Sequence, residues 1–320
     1  MFFPVSGVET NPFVPLLVAL VVSFFTSMGG VSGAFLLLPF QVSVLGFTSP
    51  AVSPTNLVFN IVAIPSGVYR YLKEGRMNWP LTWVVIIGTL PGLWVGALIR
   101  VNWMLDPRHF KLFVGCVLLY IGLRLLYEQT PFAKRKKAKI QEFEAKVQER
   151  LQKVLKEAGQ TAGKSLPPEA RVQTVSWSLR RVEYRFLGET FAFSTIALFV
   201  LSLIVGLIGG TYGIGGGAII APFVVAIFGL PVYTVAGAAL LGTFITSVAG
   251  VAIYYVLAPY YPGLGVAPDV ALGALFGVGG FCGMYVGARL QKFIPANYIR
   301  LGLGIVISGL ALRYIVGFFI

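Results

Sequence analysis

Two apolar stretches limit what this chain can become. Residues 13 to 47 and residues 191 to 228 are each too long for one membrane crossing, and each is broken near its middle by glycine. A crossing takes about 20 residues. The first break reads Ser27-Met28-Gly29-Gly30-Val31-Ser32-Gly33; the second reads Gly209-Gly210-Thr211-Tyr212-Gly213-Ile214-Gly215-Gly216-Gly217. Backbone in hydrocarbon must satisfy its own hydrogen bonds, and glycine weakens a helix. Such runs therefore belong where protein or a cavity receives the freed groups. Further apolar segments lie at 50–72, 79–99, 110–127, 232–257, 270–290 and 298–320. Only 12% of the residues are charged against 57% hydrophobic, whereas a soluble domain is about a quarter charged. The expected fold class is an all-α polytopic membrane protein.

The two halves align. Gly30-Val31-Ser32-Gly33 falls on Gly213-Ile214-Gly215-Gly216, Pro39-Phe40 on Pro222-Phe223, and Gly46 on Gly229. Gly92-Leu93-Trp94-Val95-Gly96-Ala97 then matches Gly283-Met284-Tyr285-Val286-Gly287-Ala288, and Lys111, Gly115 and Arg124 match Arg300, Gly304 and Arg313. Matches in one order along the whole length predict two homologous repeats, each with a Gly-broken first segment plus three helices, or 8–10 membrane segments in total. The divisions expected are 1–130 for the first repeat, 131–188 for a basic insert and 189–320 for the second repeat.

Orientation is read from Lys and Arg, which favour the cytoplasmic side. Residues 131–188 hold 14 Lys or Arg against 6 Asp or Glu, leaving +8 of the chain's net +13. That places the insert in the cytoplasm, against anionic lipid. The loops with Arg70, Lys73 and Arg76 and with Arg289, Lys292 and Arg300 are basic too, whereas the N-terminal dozen residues and 259–268 carry no Lys or Arg. Keeping both basic loops inside needs an odd number of crossings per repeat, so the repeats are read as inverted. Arg100, Arg108 and Lys111 then fall outside, against the bias. The N-terminus lacks a basic region before its first apolar run and is not read as a signal peptide.

Paired helix breaks in corresponding positions point to a transporter's binding site. Half-helices starting after each break would aim positive N-terminal ends at it, and loose N–H groups there bind anions. The candidate substrate-binding residues are Gly30, Ser32 and Gly33 of the first break and Gly213, Gly215, Gly216 and Gly217 of the second, with Thr55, Asn56, Asn60, Thr243 and Thr246 from the segments that follow. Thr55, Asn56 and Asn60 are expected on one helical face. Close helix packing and interhelical hydrogen bonding are the competing roles for these residues. The predicted partners are a small anionic substrate and the lipid bilayer, with no nucleic acid and no cofactor or metal.

No Asp or Glu sits mid-segment, and the single histidine, His109, is in a loop. Carboxylates or histidine commonly serve proton-coupled carriers, so coupling here falls to backbone carbonyls, hydroxyls or a proton carried on the substrate. Cys116 and Cys282 lack metal or redox spacing and are read as small buried hydrophobes. Gly159-Gln160-Thr161-Ala162-Gly163-Lys164-Ser165 is one residue short of a phosphate-binding loop, and no strand precedes it. Enzymatic activity is not expected. Ile140, Phe143, Val147, Leu151, Val154 and Ala158 recur at helical spacing. This amphipathic helix has three places open to it: the membrane surface, a second copy in a homodimer, or the mouth of the bundle. Residues 177–187 mix aromatics with Arg180, Arg181 and Arg185, which suits an interfacial segment.

Gly-rich first segments ending in proline, the turns Gly46-Phe47-Thr48 and Gly229-Leu230-Pro231, and the stretch Tyr71-Leu72-Lys73-Glu74-Gly75-Arg76-Met77-Asn78-Trp79 together resemble the sulfite exporter TauE/SafE family. The resemblance covers residues 12–128 and 190–320 and leaves the insert outside. It implies transport of sulfite, sulfonates or related sulfur-containing anions across the plasma (inner) membrane, with the paired Gly-rich segments as the path. Ser32 stands where the fuller glycine pattern has glycine, a departure from a symmetric site. The expected function is a secondary transporter working by alternating access. A passive anion channel and a scaffold acting through the basic insert are the alternatives.

Overall fold

Three helices start at a side-chain cap supplied by the sequence. In the computed structural model, which describes residues 1–29, 32–73, 75–131, 171–290 and 296–320, Asn78 opens α5 (Trp79–Asn102) by accepting the Leu81 N–H at 3.2 Å. Asp106 opens α6 (Pro107–Tyr127) by accepting the Arg108 N–H at 2.8 Å, and Ser194 opens α7 (Thr195–Tyr212). Each cap satisfies a donor that the first turn leaves free. Before them come α1 (Phe13–Gly29), α2 (Ala34–Ser43), α3 (Val52–Ala63) and α4 (Pro65–Lys73); after them come α8 (Gly217–Phe228), α9 (Val232–Leu257), α10 (Val270–Leu290) and α11 (Ala296–Phe319).

Among the described residues, α5, α6, α7, α9, α10 and α11 are long and apolar enough to cross a membrane. Their outer surface is apolar too: Ile87, Trp94, Leu123, Ile204, Val278 and Ile305 are all exposed. A continuous apolar exterior is tolerated in lipid and not in water. Cys116 and Cys282 belong to this exterior, which corrects the expectation that they are buried. Lipid solvates a small apolar side chain as well as a core does, so low polarity alone does not predict burial here.

The halves exchange helices. α1 packs on α10, α7 on α5, and α6 on α11. Glycine at every fourth position permits the approach. A Cβ on Gly279 or Gly283 would lie 2.0 or 2.2 Å from the carbonyl oxygens of Leu16 and Leu20, and one on Gly92 or Gly96 would lie 2.2 or 2.3 Å from those of Leu203 and Leu207.

The chain turns back at each break. Ser6, ahead of α1, donates its hydroxyl to Asp269 at 2.8 Å, and Ala51, after α2, donates its N–H to Gly265 O at 2.9 Å. Both ends of the α1–α2 unit therefore meet one loop, between α9 and α10. The α7–α8 unit opens on the opposite face. There β3 (Gln173–Trp177), β4 (Arg181–Phe186) and β5 (Glu189–Ser194) form an antiparallel sheet in that order, leading straight into α7. Thr234, just past α8, shares a hydrogen bond of 2.8 Å with Tyr184 of β4. Val182, Tyr184 and Phe186 alternate inward with the period of two that a strand imposes, and burial pushes the Tyr184 phenol above its ordinary range. This sheet stands where an interfacial segment was expected from 177–187. A short hairpin of β1 (Phe2–Phe3) and β2 (Val8–Glu9) precedes α1. The amphipathic helix expected at 140–158 and the loop-like run at 159–165 lie outside the described residues.

Candidate functional site

The site is built around α3. Its ten buried residues include Ser53, Thr55, Asn56 and Asn60, a polar load that only internal partners make tolerable in an apolar surround. Asn56 spends both amide hydrogens at once, donating to Gly213 O at 2.9 Å and to Ala34 O at 3.1 Å. Gly213 ends α7 and Ala34 starts α2, so one side chain joins the two breaks. Its carbonyl oxygen accepts from Gln41 Nε2 at 3.3 Å. Tyr212 makes a second tie, donating its hydroxyl to Phe35 O at 2.9 Å. One turn along α3, Asn60 Nδ2 donates to Ile214 O at 2.9 Å and to Ser247 Oγ at 3.3 Å.

The second break needs its glycines for two different reasons. Gly213 and Gly215 have φ of +88° and +78°, a region costly for any residue with a Cβ. Gly216 and Gly217 have no such φ; they are fitted against Thr89 and against the Ala239 carbonyl, with a Cβ placed 2.6 and 2.3 Å away. The Gly216 N–H donates to Thr246 Oγ1 at 3.1 Å. That hydroxyl also donates back to Gly242 O at 2.7 Å, and Thr243 likewise donates to Ala239 O at 2.8 Å.

Most of the sequence-predicted residues thus come together: Gly33, Asn56, Asn60, Gly213, Gly215, Gly216, Gly217, Thr243 and Thr246. Ser32 sits beside them, with its hydroxyl used locally to accept the Ala34 N–H at 3.3 Å. Thr55 does not join them. It turns to the α9–α10 loop and accepts the Asp269 N–H at 2.8 Å, because a neighbouring residue on a helix points about 100° away. Gly30 lies outside the described residues. Two buried acceptors, Gln41 Oε1 and Asn60 Oδ1, have no donor among the described residues. An uncommitted acceptor in a dry site is costly, so each has capacity for a donor brought by a ligand or water.

Sequence reasoning passed over Gln41, Tyr212 and Arg100. The lone amide in the apolar run 34–47 was the available signal for Gln41. For Arg100 there was none, because a cation in the last turn of an apolar helix ordinarily snorkels to the interface.

The family model for the sulfite exporter TauE/SafE matches residues 15–314. The chain belongs to the TauE/SafE family. This TauE/SafE protein is similar to the probable membrane transporter protein YunE of Bacillus subtilis (strain 168), 23% identical over 117 residues, which covers 36% of this chain and 41% of that relative. No solved structure matches it. With its apolar helices, membership makes it an integral multi-pass membrane protein, and its match spans less than half the length of that relative. The break-to-break contact at Asn56 lies inside the matched region.

Proposed function

We propose that this protein is a secondary transporter that carries a small sulfur-containing oxyanion, sulfite or an organosulfonate, across the cytoplasmic membrane by alternating access. The observation that carries the reading is the meeting of the two breaks on Asn56. A substrate between them would touch both halves, and their relative rocking would expose it to one side and then the other. The reciprocal pairing of α1 with α10 and α7 with α5 supports two inverted copies. The Val172 N–H to Gly75 O contact at 3.4 Å sets the basic loop around Gly75 beside the sheet, and we assign that face to the cytoplasm.

The chemistry of the site narrows the cargo. Gln41 Oε1 and Asn60 Oδ1 each want a donor, and an anion carrying its own proton, such as hydrogensulfite, supplies one of the two. Such a substrate would carry a coupling proton without a buried carboxylate. The test is uptake and counterflow in proteoliposomes over sulfite, thiosulfate, sulfate, small sulfonates and carboxylates. Saturable movement of a sulfur oxyanion above empty liposomes is expected. Natively folded protein that moves none of them removes the reading.

A further inference from the structure

Arg100 ends a membrane helix and is fully buried. A buried charge is normally balanced by an opposite one. Every partner it has among the described residues is neutral. Nε donates to Ser53 Oγ at 3.3 Å and Nη2 to Ser49 O at 3.3 Å, while Nη1 donates to Met104 O. The Phe110 ring centroid lies 3.8 Å from the guanidinium carbon. No carboxylate among the described residues pairs with Arg100. The buried Asp269 spends its oxygens elsewhere, accepting from the Ser6 N–H and hydroxyl and from the Leu272 N–H.

A guanidinium has five N–H donors. Three are placed, which leaves one on each terminal nitrogen together with an unbalanced positive charge. The hydroxyl of Ser49, whose backbone carbonyl accepts from Nη2, is also buried and has no partner among the described residues. Ser53 connects this group to the breaks. Besides accepting from Arg100, its hydroxyl donates to Thr211 O at 3.2 Å, and its backbone lies against Gly213 so closely that a Cβ there would sit 2.4 Å from Ser53 O. Along α3, Ser53 is three residues from Asn56, about 4.5 Å of helix rise.

We infer that Arg100 is the anion-binding group of the path on the face bearing the N-terminal hairpin, and that the substrate oxyanion brings the countercharge this guanidinium lacks. The terminal nitrogens form a fork suited to an anion with two or more oxygens, such as a sulfite, sulfonate or carboxylate group. Lysine would keep the charge and lose the fork. The inference rests on the anion-carrier reading and gives it a charged residue that the hydroxyls and amides at the breaks do not provide.

The experiment uses the full chain, wild type and the variants Arg100→Gln and Arg100→Lys. Two readouts are taken with sulfite as probe: saturable uptake into proteoliposomes, and the sulfite-dependent rise in unfolding midpoint in detergent. Half-saturation is expected to rise at least tenfold in Arg100→Gln and about threefold in Arg100→Lys in both readouts. An unchanged half-saturation in Arg100→Gln overturns the inference and leaves the carrier intact. If Arg100→Gln is not recovered folded, Arg100→Lys decides, and an unchanged value there overturns it. Wild type that binds sulfite but does not move it, with binding lost in the variants, sinks the carrier reading alone. Wild type that neither binds nor moves sulfite overturns both.

Discussion

Helices α3 and α9 both follow a glycine break, both are polar within, and they use that polarity in opposite ways. The amides of α3 reach across the molecule: Asn56 and Asn60 hold the carbonyls of Gly213 and Ile214, which belong to the other half's break. The hydroxyls of α9 fold back. Thr243 and Thr246 donate to carbonyls of their own helix, and only Thr246 also receives a bond from the break, through the Gly216 N–H. An amide has two donors and a reach of several bonds, so it can tie separate backbones together. A threonine hydroxyl is short and finds the carbonyl one turn earlier. One helix acts as a clamp, and the other presents hydroxyls whose donations stay within their own helix.

The strongest challenge to this division is Asn56→Leu. It removes both donors and leaves two carbonyls, Ala34 O and Gly213 O, without that partner in a buried site. Each orphan costs about 1–3 kcal/mol, while hydrogen bonds in membranes run lower, about 0.6 on average. A loss of roughly 2–4 kcal/mol is expected, read as a lower unfolding midpoint in detergent, with transport abolished. A stability loss no larger than that of a threonine variant on α9 would erase the clamp.

A smaller effect is expected for Thr246→Val. The shape is kept, and the Gly216 N–H loses its acceptor. One buried donor left unpaired corresponds to about 1 kcal/mol. Because that donor starts α8, hydrogen exchange at Gly216 should quicken while exchange at the middle of α9 stays as it was. Uniform quickening along α9 would mean that the hydroxyl supports its own helix and not the break.

Much of this contrast was readable from residue order. The long apolar runs and their glycines placed the breaks, and Asn56 and Asn60 stood out because an amide in an apolar helix needs a partner. Which partner was not readable. The alignment of the two halves sets Asn56 beside Ala239, and nothing in that correspondence says that Asn56 spans Ala34 and Gly213, 22 and 157 residues away in sequence. Thr55 was grouped with them by spacing alone, and its actual partner, Asp269, comes from a loop 214 residues on. Arg100 was counted by the charge rule as an outer charge, which treats Lys and Arg as solvated. Its burial depends on Ser49, Ser53 and Phe110 closing over it, and that is a tertiary fact. The sheet of 173–194 was hidden because its inward residues, Val182, Tyr184 and Phe186, alternate with charges that also fit a membrane-surface segment.

The smallest effect on stability, and the finest test of the comparison, belongs to Thr243→Val. Its hydroxyl has one donation, to Ala239 O at 2.8 Å, and that carbonyl lies inside a helix whose own hydrogen-bond ladder already satisfies it. Removing the hydroxyl should change the unfolding free energy by no more than about 0.5 kcal/mol. Yet Thr243 packs against Gly215 and Gly217, its side chain close to where their Cβ atoms would be, so a substrate at the break could take the hydroxyl's donation in exchange for the Ala239 bond at little cost. Half-saturation for sulfite is then expected to rise about threefold in proteoliposomes while the unfolding midpoint stays put. Thr243→Ser, which keeps the hydroxyl, should restore the wild-type value. If neither variant moves half-saturation, the hydroxyls of α9 are packing groups like their glycine neighbours, and the binding surface lies on the α3 side, with Asn60 Oδ1 and Gln41 Oε1.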